Sequence, residues 1–155
     1  MGRIGVIGDT HDDLVPWDGV HDRVARAFEG VELIVHCGDL TTMAVLDRLG
    51  EIAPVLAVRS TADPDPEPPR LLDGPRVLET DGLAIGVVNS LRGDLAQVFD
   101  RRVDVVLHGG THAASIDTRD GVLCLNPGSP TLAEAVTVGV LDTDGGRPTA
   151  TIVPL

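Results

Sequence analysis

Near its N-terminus the chain reads RIGVIGDTH at positions 3–11. The apolar run at positions 3–7 has the composition of a short buried strand. Asp9 and His11 follow it two positions apart, so both side chains point to the same side of an extended chain. A carboxylate and an imidazole at the end of a strand are a natural start for a metal site, provided that the rest of the chain supplies partners.

Composition limits the classes of protein and partner. The 155 residues suffice for one domain with a buried core, and we expect a single domain over 1–155. The formal net charge is −12 and there is no lysine. This argues against nucleic-acid backbones and anionic membranes as partners, and it excludes lysine as a nucleophile. The composition leaves homo-oligomer formation open.

Two sequence features bear on the compartment. No apolar run approaches the roughly 20 residues of a membrane span, and no basic segment with an apolar stretch opens the chain. Cys37 and Cys124 form no CxxC motif, and each lies inside an apolar run. We therefore expect buried free thiols and a cytoplasmic protein.

Apolar spacing in the first part of the chain predicts alternating strands and helices. After the strand at 3–7 come a helix over 17–28, a strand over 32–37, a helix capped by Thr41 or Thr42 and ended by Gly50, and a strand over 54–58. This order implies parallel strands with right-handed crossovers. The C-terminal ends of those strands then lie on one edge of the sheet.

The remaining chain is mostly β. A proline-rich surface loop over 61–75 precedes a hairpin around Asp81-Gly82, with strands over 76–80 and 83–88. A short helix over 94–100 follows, and then strands over 103–107, 114–118, 122–125, 137–142 and 149–153. The pattern predicts an α/β layered sandwich with two sheets.

Polar, chemically capable residues follow many of these strands. They are Asp9-x-His11, Gly38-Asp39, the segment 59–63, Val88-Asn89-Ser90, Gly109-Gly110-Thr111-His112, and Asn126-Pro127-Gly128-Ser129. Each alone is explained by a turn or a helix cap. Together, at one edge of the fold, they form the mixed carboxylate and imidazole environment that divalent metals favour.

These motifs resemble those of the calcineurin-like metallophosphoesterases, in the small branch of phosphodiesterases that includes the retromer subunit Vps29. The match lies in Gly8-Asp9-Thr10-His11, His36-Cys37-Gly38-Asp39 and Asn126-Pro127-Gly128-Ser129, while 58–63 aligns with a V-R-G-N-C-D motif. The resemblance covers almost the whole chain. It implies a layered αββα sandwich of two mixed sheets flanked by helices, and a small phosphorylated or phosphodiester substrate.

The resemblance also implies one metal site. Asp9, His11, Asp39 and His112 match the four residues that hold one metal in the family. The expected ion is one divalent transition metal: Mn, Fe, Ni or Zn. We expect Asp39, Asn89 and His112 to take part in catalysis.

The second metal of the family lacks its usual ligands in this chain. The corresponding positions hold Thr61, Asn89 and Gly110, and the neighbouring catalytic position holds Ala62. His108 lies two residues before Gly110, and we interpret it as a packed side chain rather than a displaced ligand. The sequence thus predicts one retained metal, although it leaves open a second held by Thr61, Asn89 or His108.

Three functions fit this pattern. The first is a hydrolase with a single metal and weak or altered activity toward ordinary phosphodiesters. The alternative is a catalytically inactive, Vps29-like interaction module, which predicts an exposed apolar patch. A third hypothesis, ranked last, is iron chemistry on a site with two histidines and carboxylates.

Overall fold

The computed structural model describes residues 2–11, 16–40, 43–60, 63, 71–133 and 135–155. The helices are α1 (His21–Ala27), α2 (Ala44–Gly50) and α3 (Leu95–Val98). The strands are β1 (Arg3–Ile7), β2 (Leu33–His36), β3 (Val55–Ala57), β4 (Arg76–Thr80), β5 (Leu83–Val88), β6 (Val105–His108), β7 (Ser115–Arg119), β8 (Val122–Asn126), β9 (Thr137–Asp142) and β10 (Thr149–Pro154). The predicted helix cap at Thr41 or Thr42 lies outside the described residues, as do Thr61, Ala62 and most of the 61–75 loop.

The strands form two five-stranded mixed sheets. The first has the order β10-β9-β1-β2-β3, and the second has the order β4-β5-β6-β8-β7. In the first sheet β1, β2 and β3 are parallel, and in the second β5, β6 and β8 are parallel. The predicted fold class is confirmed, and the C-terminal ends of these parallel strands supply the segments that form the site.

The hydrophobic core has three layers. Between the sheets lie buried aliphatic side chains from both, including Val6, Val35, Ile85 and Leu107. Helices α1 and α2 cover the outer face of the first sheet, and α3 with the segment up to residue 103 covers the second. This is the αββα sandwich. Both cysteines are free and buried, as predicted.

Two phenylalanines pack directly over strand glycines. An ideal Cβ on Gly5 in β1 would lie 2.9 Å from the Phe28 ring, and one on Gly86 in β5 would lie 2.5 Å from the Phe99 ring. Each glycine therefore leaves room for an aromatic ring against the outer face of its sheet. Phe28 and Phe99 thus pack the two helical layers against the outer faces of the first and second sheets.

The predicted helix over 17–28 is interrupted. Residues 17–19 form a 3₁₀ turn, and Val20, with φ −121° and ψ −13°, separates that turn from α1. Gly19 weakens the helix at this point. The Trp17 indole Nε1 donates a hydrogen bond to His21 Nδ1 at 3.0 Å, which holds the turn against α1. Among the described residues, no helix has the length and apolar character needed to cross a membrane.

Candidate metal centre

The segments that follow β1 and β2 run side by side. Ile7 pairs with His36 at the ends of the two parallel strands. Beyond the strands, the Asp9 amide donates to the Gly38 carbonyl at 3.0 Å, and the His11 amide donates to the Asp39 carbonyl at 2.9 Å. These bonds hold the Asp9-x-His11 and Gly38-Asp39 motifs together, as the strand order predicted.

The segment after β6 joins them from the second sheet. The Gly110 amide donates to both carboxylate oxygens of Asp9 at 3.1 Å, and the His112 amide donates to Asp9 Oδ2 at 3.2 Å. The buried Asp9 carboxylate is therefore oriented by backbone from the opposite sheet. This contact also brings the His112 ring to within 5.1 Å of the His11 ring, between centroids.

Three side chains converge closely enough to hold one ion. One ligand atom each from Asp9, His11 and His112 lie within 4.8 Å of one another. The two histidine Nε2 atoms face each other at 3.3 Å. Two imidazole nitrogens bound at about 2.1 Å to neighbouring positions on one ion lie roughly 3.0–3.4 Å apart. The donor set and its spacing therefore fit a divalent transition metal.

The backbone conformation marks the same residues. Asp9, His11, Asp39 and His112 have φ values of 50°, 39°, 63° and 62°. Residues other than glycine are uncommon in this left-handed region, which often marks functional sites. The other described non-glycine residues with positive φ are Asp81 and Asp120, and each precedes a glycine in a β-hairpin turn. Apart from these two turn residues, the described non-glycine residues with positive φ are the four predicted ligands.

Asp39 borders the three-residue group. Its carboxylate interacts with the Asp9 carboxyl group and with Ser60. Asn89 Nδ2 lies 3.3 Å from Asp39 Oδ2. Asp39 is thus in contact with the centre, although its oxygens lie outside the compact cluster formed by the other three predicted ligands.

The two aspartates have opposite pKa shifts. Burial and the hydrogen bond with Asp39 raise the pKa of Asp9 to about 7, although the backbone N–H groups of His112 and Gly110 oppose this. Burial also acts to raise the pKa of Asp39, but hydrogen bonds from Ser60, Asp9 and Asn89, together with the charge of His11, lower it overall. Below about pH 7 the raised pKa of Asp9 therefore keeps one proton on the pair, and a bound cation would take the place of that proton.

Asp63 is a residue that sequence reasoning left without a role. Its carboxylate accepts the amides of Asp39 at 2.9 Å, Leu40 at 2.8 Å and Ser60 at 3.0 Å. It therefore holds the backbone that carries Asp39. One indication of this role was present in the sequence, because Asp63 ends the polar segment 59–63 that follows a predicted strand.

The Asn126-Pro127-Gly128-Ser129 motif supports the opposite side of the centre. Ser129 Oγ donates to the Asp9 carbonyl at 2.7 Å, and Thr131 Oγ1 donates to the Thr10 carbonyl at 2.8 Å. Asn126 Nδ2 donates to Thr111 Oγ1 at 2.9 Å, beside His112. These contacts fix the backbone of two of the segments that carry candidate ligands.

Two other histidines lie outside the three-residue group. His36 is buried, where its Nδ1 accepts the Gly38 amide at 3.0 Å and its Nε2 lies 3.1 Å from Thr10 Oγ1. Its contacts order the segments after β1 and β2. His108 is half-buried at the end of β6, on the same strand face as Val106, which packs in the α3 layer. Burial lowers the pKa of His108, against the charge of Asp117.

Comparison with known proteins assigns the family. Residues 3–146 match the calcineurin-like phosphoesterase superfamily domain, and the chain belongs to this family. A probable metallophosphoesterase of Methanocaldococcus jannaschii is 37% identical in an alignment 146 positions long, which covers 83% of this chain and 68% of that protein. A phosphodiesterase of the same organism is 26% identical in an alignment 162 positions long, which covers 92% of this chain and 93% of that one.

Solved structures agree on the fold. Vps29 of Entamoeba histolytica, in a structure with zinc, superposes with a TM-score of 0.69 at 21% identity, covering 98% of each chain. The resemblance inferred from the motifs is thus confirmed at the level of the family and its fold. The family is one of metal-dependent hydrolases, and this chain presents a candidate metal site at Asp9, His11 and His112.

Proposed function

We propose that the protein is a phosphoesterase that uses one divalent transition metal, with Asp9, His11, Asp39 and His112 as ligands. The observation that carries the proposal is the convergence of three of these side chains, with the two histidine nitrogens 3.3 Å apart. The left-handed backbone at all four positions supports it independently. Its substrate is a small phosphorylated or phosphodiester molecule.

A bound metal supplies a Lewis acid and lowers the pKa of a coordinated water. Backbone and side-chain groups of this protein orient the proposed ligands. The amides of Gly110 and His112 fix the Asp9 carboxylate, and Asp63 fixes the backbone of Asp39. Asn89 donates to Asp39 and to the Cys37 carbonyl, and we expect its carbonyl oxygen, Oδ1, to be the atom that contacts substrate.

A single metal lacks the symmetric clamp that a metal pair forms on the attacking and leaving oxygens. We therefore expect slow hydrolysis of ordinary phosphodiesters and faster hydrolysis of esters with good leaving groups. Mn²⁺ and Ni²⁺ are suitable first ions for the assay, because both accept imidazole and carboxylate ligands.

The interaction-module alternative predicts an exposed apolar patch. Among the described residues, the one large hydrophobic side chain that is exposed is Ile116, on the edge strand β7. One isolated side chain is ordinary for a protein surface. The structure therefore gives more support to the hydrolase than to this alternative.

The iron hypothesis uses the same side chains, since Asp9, His11 and His112 form a set of two histidines and one carboxylate. Iron analysis after anaerobic purification tests it. Stoichiometric iron in a protein that fails to hydrolyse phosphoesters would favour this hypothesis. Hydrolysis supported by Mn²⁺ or Ni²⁺ would favour the phosphoesterase.

The direct test is turnover of aryl phosphodiesters and aryl phosphomonoesters by the purified protein with saturating Mn²⁺ or Ni²⁺. We expect metal-dependent hydrolysis that His112→Ala reduces at least 100-fold, since that variant removes a ligand. His108→Ala is the matched control, since this histidine lies outside the metal group. Absence of turnover with either ester class at saturating metal would contradict the proposal.

A further inference from the structure

Asn89 places a hydrogen-bond donor beside Asp39, at a position where the family resemblance implies a ligand for a second metal. The side chain follows β5, and its Nδ2 donates to the Cys37 carbonyl at 2.8 Å and to Asp39 Oδ2 at 3.3 Å. A backbone carbonyl can only accept, so the contact with Cys37 identifies this atom as the amide nitrogen. Both amide hydrogens are therefore directed at oxygen atoms beside the metal centre.

The same side chain fills the space between the segments after β2 and β6. An ideal Cβ on Gly38 would lie 2.8 Å from Asn89 Nδ2. An ideal Cβ on Gly110 would lie 3.3 Å from the Asn89 backbone carbonyl and 3.8 Å from its Oδ1. Gly110 also has a φ of 88°, a conformation that a residue with a side chain rarely adopts. The amide thus occupies the gap beside Asp39.

The charge distribution opposes a second cation there. The positive end of the Asn89 N–H dipole points at Asp39 Oδ2, an oxygen that would otherwise be open to a cation beside the candidate centre. A second cation would have to displace this donor and replace both of its hydrogen bonds.

We propose that Asn89 keeps a second metal ion out of the space beside Asp39, because its amide donates to Asp39 and fills that space. This inference rests on the proposed one-metal phosphoesterase. It gives Asn89 a positioning role at Asp39 in addition to any contact with substrate. Replacing the amide by a metal-ligating group should then create a second site.

The test compares metal content in the wild type, Asn89→Asp and a matched control, Gln97→Glu. Gln97→Glu makes the same amide-to-carboxylate change on the exposed surface of α3. In Asn89→Asp, the introduced carboxylate faces the Cys37 carbonyl and Asp39 Oδ2, an arrangement of oxygens that attracts a divalent cation. Each protein is loaded with Mn²⁺, dialysed, and analysed for metal per chain, with circular dichroism to confirm folding.

We expect one metal per chain in the wild type and in Gln97→Glu, and two in Asn89→Asp. Asn89→His, which introduces a neutral ligand, should also bind two and carries the test if the acidic variant does not fold. One metal in both Asn89 variants would overturn this inference and leave the proposed function intact. No metal in the wild type would overturn the proposed function, and two in the wild type would overturn the one-metal centre together with the role of Asn89.

Discussion

At the level of single residues, the candidate ligands adopt a conformation that their side chains disfavour. Left-handed backbone costs roughly 1–2 kcal/mol for a residue with a Cβ. Asp9, His11, Asp39 and His112 all adopt it, and their backbone amides are bound to the Gly38 carbonyl, the Asp39 carbonyl or the carboxylates of Asp63 and Asp9. A strained backbone of this kind persists only where the surrounding contacts hold it in place. These contacts arrange the donor atoms before any ion binds.

Asp9 should give the metal-free protein a characteristic pH dependence. Its pKa is about 7 in the folded chain, against the ordinary aspartate value of 3.8. The folded chain therefore keeps a proton on Asp9 between about pH 4 and pH 7 that the unfolded chain has released, so Asp9 makes the free energy of unfolding fall as pH rises through this window. The groups that face Asp9 are Asp39, His11 and His112.

Urea denaturation of wild type and Asp9→Asn, with a chelator present, measures this effect. The wild type should lose free energy of unfolding relative to Asp9→Asn as pH rises from 4 to 7. Asp39 has a lowered pKa, so its own contribution changes at more acidic pH. Parallel pH profiles for the two proteins would show that Asp9 does not retain a proton in the folded state.

The identity of the candidate ligands could be predicted from the sequence, but their backbone conformation could not. The positions of Asp9, His11, Asp39 and His112 after strands, with the family resemblance, were enough to select them. Their backbone conformation was not predictable, because positive φ at a residue other than glycine is set by tertiary hydrogen bonds. The donor role of Asn89 was equally hidden, since its orientation depends on the Cys37 carbonyl from another sheet.

At the level of elements, the segment after β8 supports the site through Ser129. Its hydroxyl donates to the Asp9 carbonyl and accepts the amides of Thr131 and Leu132. Ser129→Ala leaves these buried groups unsatisfied and should cost about 1–3 kcal/mol of free energy of unfolding. It should also weaken metal binding, because it frees the backbone of Asp9.

Chemical denaturation and metal titration measure both effects, with Ser115→Ala on the exposed strand β7 as the control. The control should change the free energy of unfolding by less than about 0.5 kcal/mol. Equal behaviour of the two alanine variants would mean that the Ser129 hydroxyl does not hold the Asp9 segment.

The contact between Gly86 and Phe99 should be equally sensitive. A methyl group on Gly86 would lie 2.5 Å from the Phe99 ring, inside van der Waals contact. Gly86→Ala should therefore destabilise the protein by about 1–3 kcal/mol as the ring is displaced. Gly50→Ala, at the end of α2 with no atom within 4 Å of the new Cβ, is the control and should be neutral or slightly stabilising. A neutral Gly86→Ala, measured by thermal or urea unfolding, would contradict this packing.

Element existence was more predictable than element boundaries. The strands predicted from the sequence are all present. The buried ones, such as β1 and β6, are short apolar runs, whereas the exposed β7 was indicated by the turn at Asp120-Gly121 that follows it. The helix expected over 17–28 is divided at Val20, since apolar spacing continues through a 3₁₀ turn without marking the break. The strand predicted over 103–107 is observed as Val105–His108, although the backbone of Asp104 still donates to the Ala84 carbonyl and accepts the Leu123 amide.

On the scale of the whole molecule, the candidate metal centre and a surface cavity lie at opposite ends of strand β6. The candidate metal centre lies where β1, β2 and β6 end. A cavity of about 450 Å³ lies at the other end of β6, where the strand begins, between α3, the segment before β6 and the β7–β8 turn. The residues that line this cavity include none of the candidate ligands. We assign the function to the centre because its donor atoms converge.

The central claim is that the folded chain holds one metal at this centre. Elemental analysis of the wild type, loaded with Mn²⁺ or Ni²⁺ and then dialysed, tests it most directly when Asp39→Ala and His108→Ala are analysed in parallel. We predict one metal per chain in the wild type and in His108→Ala, and well below one in Asp39→Ala, which loses a proposed ligand. Two metals per chain in the wild type, none at all, or a full complement in Asp39→Ala would contradict the account.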